Sequence, residues 1–321
     1  MSRREIAAFL VLAAVWGASF LFIRIAVPAL GPFPLMAGRV LLAAGALWLF
    51  ATARSTPIVL RPFAGRLLLL GLLHAAAPFA LIATAELRLT ASMAAVLLAA
   101  QPLFVVLLSV VWLGDRLSTA RGIGLLLGMV GVAVLVGWGP GGMDTAALLS
   151  AGAVLLGALL YAAGSLYARH RLGDAPVLTL ALGQQLGAAA WLVVPAVLTA
   201  PRVSMQVGAL WALAALALVS TAMAYLLFFW LIGRVGPVKA STVTYAIPVF
   251  GVLWGALFLG ERLTPGMVAG LGCILLSLTL VNRGRHQSRP SVANAERDSV
   301  ERQPHHQTGK ETTHRVVVTG A

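Results

Sequence analysis

Between residues 5 and 281 the chain is a succession of apolar runs, each about as long as a bilayer's hydrocarbon core is thick, with few residues between one run and the next. A helix crossing that core needs about 20 apolar residues, and every backbone N–H and C=O must be satisfied inside the segment. Charges and Pro/Gly breaks delimit ten such runs, at about 5–27, 34–53, 66–86, 91–113, 120–138, 146–168, 177–199, 208–230, 237–258 and 265–281. An all-α polytopic membrane protein is expected. With 60% of the 321 residues hydrophobic and 10% charged, a soluble protein is excluded. The first run, led by Arg3 and Arg4 and carrying Trp16, Phe20 and Phe22, is too long and too aromatic for a cleaved signal peptide. From Asn282 to Ala321 no apolar run exceeds Val316 to Val318, so residues 282–321 are read as a disordered tail.

The net charge of +13 would suggest a nucleic-acid partner in a soluble chain, but here the basic residues lie between spans. With the N-terminus inside, the inner connections hold 11 Lys and Arg, tail aside, against 3 in the outer ones (Arg88, Arg202 and Arg262). The positive-inside rule then puts both termini in the cytoplasm of a multi-pass cell-membrane protein, with no nucleic-acid partner. The single cysteine, Cys273, permits neither an internal disulfide nor a cysteine-based metal site, and no cofactor is expected. Oligomeric state is not legible.

Sliding the chain against itself by 146 residues aligns Ala100 to Leu125 with Ala246 to Leu271, and 11 of the 26 pairs are identical. The matches include Pro102 with Pro248, and Gly114-Asp115-Arg116-Leu117 against Gly260-Glu261-Arg262-Leu263, where scarce residue types agree. The duplication divides the chain at 1–138 and 139–281. Each copy holds five spans. An odd number forces the second copy to enter the membrane from the opposite side, and inverted repeats around a midplane site are the architecture of alternating-access transporters.

WGASFLFIRIAV in the first span, a proline-led second span with Arg39, a Pro-containing fourth span ending in LGDRL, and YAIPVFGVLWGALFLGERLT together resemble the EamA family of the drug/metabolite transporter superfamily. The resemblance covers residues 5–281. It implies ten helices in two inverted EamA repeats, a cavity lined by the first, third, fourth, sixth, eighth and ninth helices, and export or uptake of small metabolites, often amino acids.

Polar residues within spans are the candidate site, because charge at the bilayer centre costs about 2.5 to 3.5 kcal/mol on insertion scales and is kept from lipid. Trp16, Phe20 and Arg24 share one face of the first helix, and Tyr161, Ser165 and Arg169 the equivalent face of the sixth. Arg24 and Arg169, close to span ends, are read as snorkelling to headgroups. Arg39, His74, Phe79, Gln101, Tyr225 and Tyr245 complete the substrate-binding set with Trp16, Phe20 and Tyr161. His74 is the candidate proton-coupling group, since its ordinary pKa lies near neutrality, with Glu86 as the alternative. In the repeated motif Pro102, Gly114, Asp115, Arg116, Pro248, Gly260, Glu261 and Arg262 are read as structural: each acid caps the helix that follows, beside N-cap candidates Ser118 and Thr264. Glycines at i and i+4 are read as helix contacts.

The expected function is secondary transport, export or permeation of small organic metabolites such as amino acids. The alternatives are a non-transporting scaffold and a carrier of drug-like or sugar/nucleotide-type solutes. No phosphate-binding loop or HExxH motif occurs, so neither ATP hydrolysis nor an intramembrane enzyme is expected. No carboxylate sits at mid-span, which favours neutral, zwitterionic or anionic substrates over cations.

Overall fold

The structure, a computed structural model, describes residues 1–115, 117–137, 144–200 and 204–287. Among these residues it is helical and contains no strand. The spans are α1 (Arg3–Leu30), α2 (Pro32–Ala53), α3 (Arg61–Ala85), α4 (Ala91–Leu113), α5 (Thr119–Gly137), α6 (Thr145–Arg171), α7 (Val177–Thr199), α8 (Val207–Val235), α9 (Lys239–Leu259) and α10, whose apolar part is Pro265–Val281. They follow the ten apolar runs with boundaries moved by a few residues. α10 continues to Gln287, past the boundary at 281 expected from the sequence; 288–321, the rest of the expected tail, lie outside the described residues, as does Arg116.

The ends are set locally. Ser2 and Glu5 form a capping box on α1, with Glu5 N–H donating to Ser2 Oγ at 3.3 Å and Ser2 N–H to Glu5 Oε2 at 2.7 Å. Ser118 and Thr264 cap as their positions suggested, accepting from Arg121 N–H at 3.4 Å and Met267 N–H at 3.2 Å. α4 is interrupted between Leu98 and Gln101, and the first turns of α9 pass through a 3-10 stretch, Thr242–Tyr245. Each interruption precedes a proline, Pro102 or Pro248, which lacks an N–H and whose ring collides with the carbonyl four residues earlier. α4 and α9 then end on Gly114 and Gly260, at φ +68° and +63°, where a side chain would be strained. α3 and α8 carry π-helical turns at Leu72–Ala76 and Ala215–Met223, which coincide under the 146-residue shift.

Packing follows the inverted pairing. If α1 to α5 correspond to α6 to α10, exchanging the halves turns the α1–α9 contact into α6–α4, α3–α7 into α8–α2, and α3–α6 into α8–α1; all of these pairs pack. α5–α10, α2–α7 and α4–α9 map onto themselves and also pack. Small residues permit the closest approaches. A Cβ on Gly124 would meet Ser277 O at 2.9 Å, and one on Gly270 would meet Gly131 O at 2.8 Å, so α5 and α10 touch backbone to backbone. Gly183 and Gly187 of α7 take Leu67 of α3 in the same way.

Two faces result. One bears Arg54, Arg66, Arg121, Arg169 and Arg171 at helix ends, and there Arg66 Nη1 donates to Arg171 O at 3.2 Å. At the opposite face the ends of α1, α3, α4 and α9 meet.

Candidate functional site

Between the halves lies a cavity of about 810 Å³. Its depth is walled by Trp16, Phe20 and Ile23 of α1, Phe79 and Ile82 of α3, Tyr161 of α6 and Phe228 of α8. Towards the basic face it continues past Ser109, Leu113, Asp115, Arg121, Arg169, His170 and Val281. No residue of the connections 86–90 or 260–264 lines it among the described residues, so it opens to the basic face and is sealed at the other.

The π-helical turns aim polar groups at this space. His74 lies in the α3 turn, and the equivalent position in α8, Ser220, also lines the cavity. His74 Nε2 is 3.1 Å from Ser165 Oγ, and its ring meets Tyr161 edge-on with centroids 5.0 Å apart. Trp16 and Phe228 rings lie 5.2 Å apart. Tyr225 OH accepts a hydrogen bond from Gln184 Nε2 at 2.8 Å, leaving the hydroxyl hydrogen free to point elsewhere.

Arg39 is the charged group at depth. It is 7% exposed, its Nε donates to Thr221 Oγ1 at 3.0 Å, and its guanidinium lies 3.8 Å from the centroid of Phe79, face on. Thr221 is itself held by donating to Leu216 O at 2.8 Å, within the α8 π-helical turn. Arg39 thus bonds a hydroxyl and rests on a ring.

All nine residues named from the sequence as substrate-binding line this one cavity: Trp16, Phe20, Arg39, His74, Phe79, Gln101, Tyr161, Tyr225 and Tyr245. α2, absent from the set of lining helices implied by the resemblance, contributes Arg39. Glu86 does not join them. It is fully buried at the sealed face, outside the cavity lining, and among the described residues neither carboxyl oxygen is hydrogen-bonded.

Two readings are corrected. Arg24 does not snorkel: it is half-buried and Nη1 donates to the backbone carbonyl of Glu86, tying α1 to the end of α3. Arg169, by contrast, is exposed at the cavity mouth. The second concerns the motif acids. Glu261 does not cap the helix that follows it; it crosses to the other repeat, where Oε1 accepts from Ala91 N–H at 2.8 Å and Oε2 from Ser92 N–H at 2.9 Å and Ser92 Oγ at 2.5 Å. The free N–H groups at the start of α4 are a better target than α10, which Thr264 already caps. Asp115, the equivalent acid, is exposed at the cavity mouth and has no hydrogen-bonded carboxylate among the described residues. Arg262 is exposed.

Sequence reasoning missed Gln184, Gln185 and Thr221. The signal was present for the glutamines, a polar pair inside the apolar α7 run, with Gln185 at the repeat position of Arg39. Gln185 is fully buried, and among the described residues its amide has no hydrogen-bond partner.

Two segments of the chain, 3–137 and 148–283, match the model of the EamA-like transporter family. A protein of Escherichia coli (strain K12) named as an uncharacterized inner membrane transporter, YedA, is 30% identical over 299 residues, covering 89% of this chain and 93% of its own. The probable amino-acid metabolite efflux pump of the same organism is 27% identical over 289 residues, covering 87% of this chain and 94% of its own. A solved crystal structure superposes with a TM-score of 0.63 at 20% identity, over 90% of this chain and all of that one, which speaks to the fold alone.

Proposed function

The chain belongs to the EamA-like transporter family, and on that premise we propose that it is a secondary transporter carrying small organic metabolites of amino-acid size across the cell membrane by alternating access, with both termini cytoplasmic. The observation that carries this reading is the cavity itself: about 810 Å³, between two inverted repeats, open towards one face and sealed at the other. That volume lies in the range of small-molecule sites, and its walls combine aromatic faces with a few polar tips, which suits an amphipathic organic solute. The relative named a probable amino-acid metabolite efflux pump supports export of amino-acid-like compounds. Trp16, Phe20, Tyr161, Tyr225 and Tyr245 are the walls in this reading, Arg39, His74 and Gln101 the polar contacts, and His74 the proton-coupling group.

The test is counterflow. Purified full-length protein in proteoliposomes, preloaded with a mixture of amino acids and their oxo-acid and N-acetyl derivatives, is expected to accumulate at least one labelled member of that panel, saturably and only when preloaded. Flux no greater than in protein-free vesicles for every member would leave the non-transporting scaffold as the better account.

A further inference from the structure

We propose that Arg39 is a carboxylate-binding subsite and that the preferred substrates are organic monocarboxylates of net charge −1, so that an α-ammonium group is not required. This rests on the transporter reading above and narrows it to one chemical class.

Arg39 is more than nine-tenths buried, yet among the described residues no carboxylate comes within ion-pair distance of its guanidinium. Glu86, an acid buried in the same half, lies outside the cavity lining and acts on the Arg39 charge without touching it. A buried charge with no counter-ion in contact is costly, and the cost falls away when a ligand supplies the opposite charge. The guanidinium is also held ready. One face rests on Phe79, and Nε is anchored by Thr221, itself tied to the α8 backbone. The two Nη groups remain, and a planar fork of this kind matches two carboxylate oxygens. The Tyr225 hydroxyl, already accepting from Gln184, has its proton left to donate.

The rest of the cavity agrees. Among the described residues its lining holds Arg39 at depth and Arg169 at the mouth, and the one acid there, Asp115, is also at the mouth. Cations along a cavity that leads to a buried cation concentrate anions. At depth no acid lines it among the described residues, whereas Trp16, Phe20 and Phe228 offer apolar surface for a hydrocarbon or aromatic body.

The experiment uses four compounds with one side chain: N-acetyl-leucine (anion), leucine (zwitterion), leucinamide (cation) and N-acetyl-leucinamide (neutral), and the same four built on phenylalanine. Binding to the detergent-purified full chain is read from the quenching of tryptophan fluorescence, since Trp16 lines the cavity, and from the thermal shift. The N-acetyl acid is expected to bind about 10-fold or more tightly than its amide, the usual worth of a charge-assisted pair. Arg39→Gln should remove that difference, bringing the acid down to the level of its amide, and Arg39→Lys should restore part of it. Equal binding of acid and amide in the unmodified protein, in both series, overturns the proposal without recourse to any variant. Transport of the panel without discrimination by charge would do so while leaving the transporter reading intact, whereas absence of all flux strikes the transporter reading first.

Discussion

The repeated motif ends α4 as Gly114-Asp115 and α9 as Gly260-Glu261, yet the two copies are in opposite situations. Glu261 is folded back across the repeat boundary onto the start of α4, while Asp115 stands exposed at the mouth of the cavity. The helices above them differ correspondingly. In α9, Gly251 packs against Ala95, and Gly255 leaves room for Ser92 and Glu261; the equivalent positions of α4 are Val105 and Ser109, both lining open cavity. Glycine lets the sealed face close tightly, since a Cβ at 255 would collide with the Ser92 hydroxyl and the Glu261 carboxylate. The comparison teaches that an inverted duplication need not be energetically symmetric.

The largest expected effect comes from breaking the sealed copy. Glu261→Ala removes the acceptor for three hydrogen bonds and leaves the Ala91 and Ser92 N–H groups without it, with only the Thr90 cap on Met93 N–H remaining at the start of α4. With charge-assisted bonds worth about 1.5 to 3 kcal/mol each and losses that do not add, it should destabilise the protein by about 2 kcal/mol or more. Asp115→Ala should stay within about 0.5 kcal/mol. Thermal unfolding of the two purified variants measures the contrast, and equal losses would end the claim that the copies differ. Gly255→Val comes next: overpacking against Ser92 and Glu261 should cost about 1 to 3 kcal/mol. Its counterpart Ser109→Gly, placed in open space, should cost about 1 kcal/mol at most, the helix propensity alone. Reactivity of a cysteine at Ser92 with an impermeant thiol reagent should rise in Gly255→Val as the sealed face loosens.

A third test sharpens the inversion by labelling. Ser118→Cys and Thr264→Cys, each in a background lacking Cys273, occupy equivalent positions and should be labelled from opposite sides of the membrane. Labelling of both from one side would remove the inverted arrangement. The smallest expected effect is His74→Gln. His74 and Ser220 are another unequal repeat pair, a titratable ring opposite a hydroxyl. If the ring carries the coupled proton, substrate-driven proton flux should vanish in this variant while downhill exchange survives. Unchanged proton flux would return His74 to being a cavity wall held by Ser165.

Much of the cavity was legible in advance for a physical reason. A polar or aromatic side chain inside an apolar run is kept from lipid, and the resemblance implied which helices line one cavity, so Trp16, Tyr161 and Tyr225 could be assigned to one space. The errors share a cause. Arg24, near a span end, was read from its depth alone, but its partner is the carbonyl of residue 86 on another helix. Glu261 was read from its neighbours in sequence, where Thr264 competes for the same role, and its actual partners lie about 170 residues away. Thr221 carries no warning in the sequence, since a threonine in an apolar helix more often bonds its own backbone, as this one also does.

The sequence by itself determined the membrane class, the ten spans, the duplication and, because five is odd, the inversion of its halves. These follow from one-dimensional patterns, namely the length of apolar runs and the recurrence of scarce residue types at a fixed shift. Which face is closed, which acid is engaged, and where Arg39 rests its guanidinium were decided only in three dimensions. Each depends on contacts between helices far apart in the chain, where near-identical motifs can take different partners and one added Cβ decides whether two backbones meet.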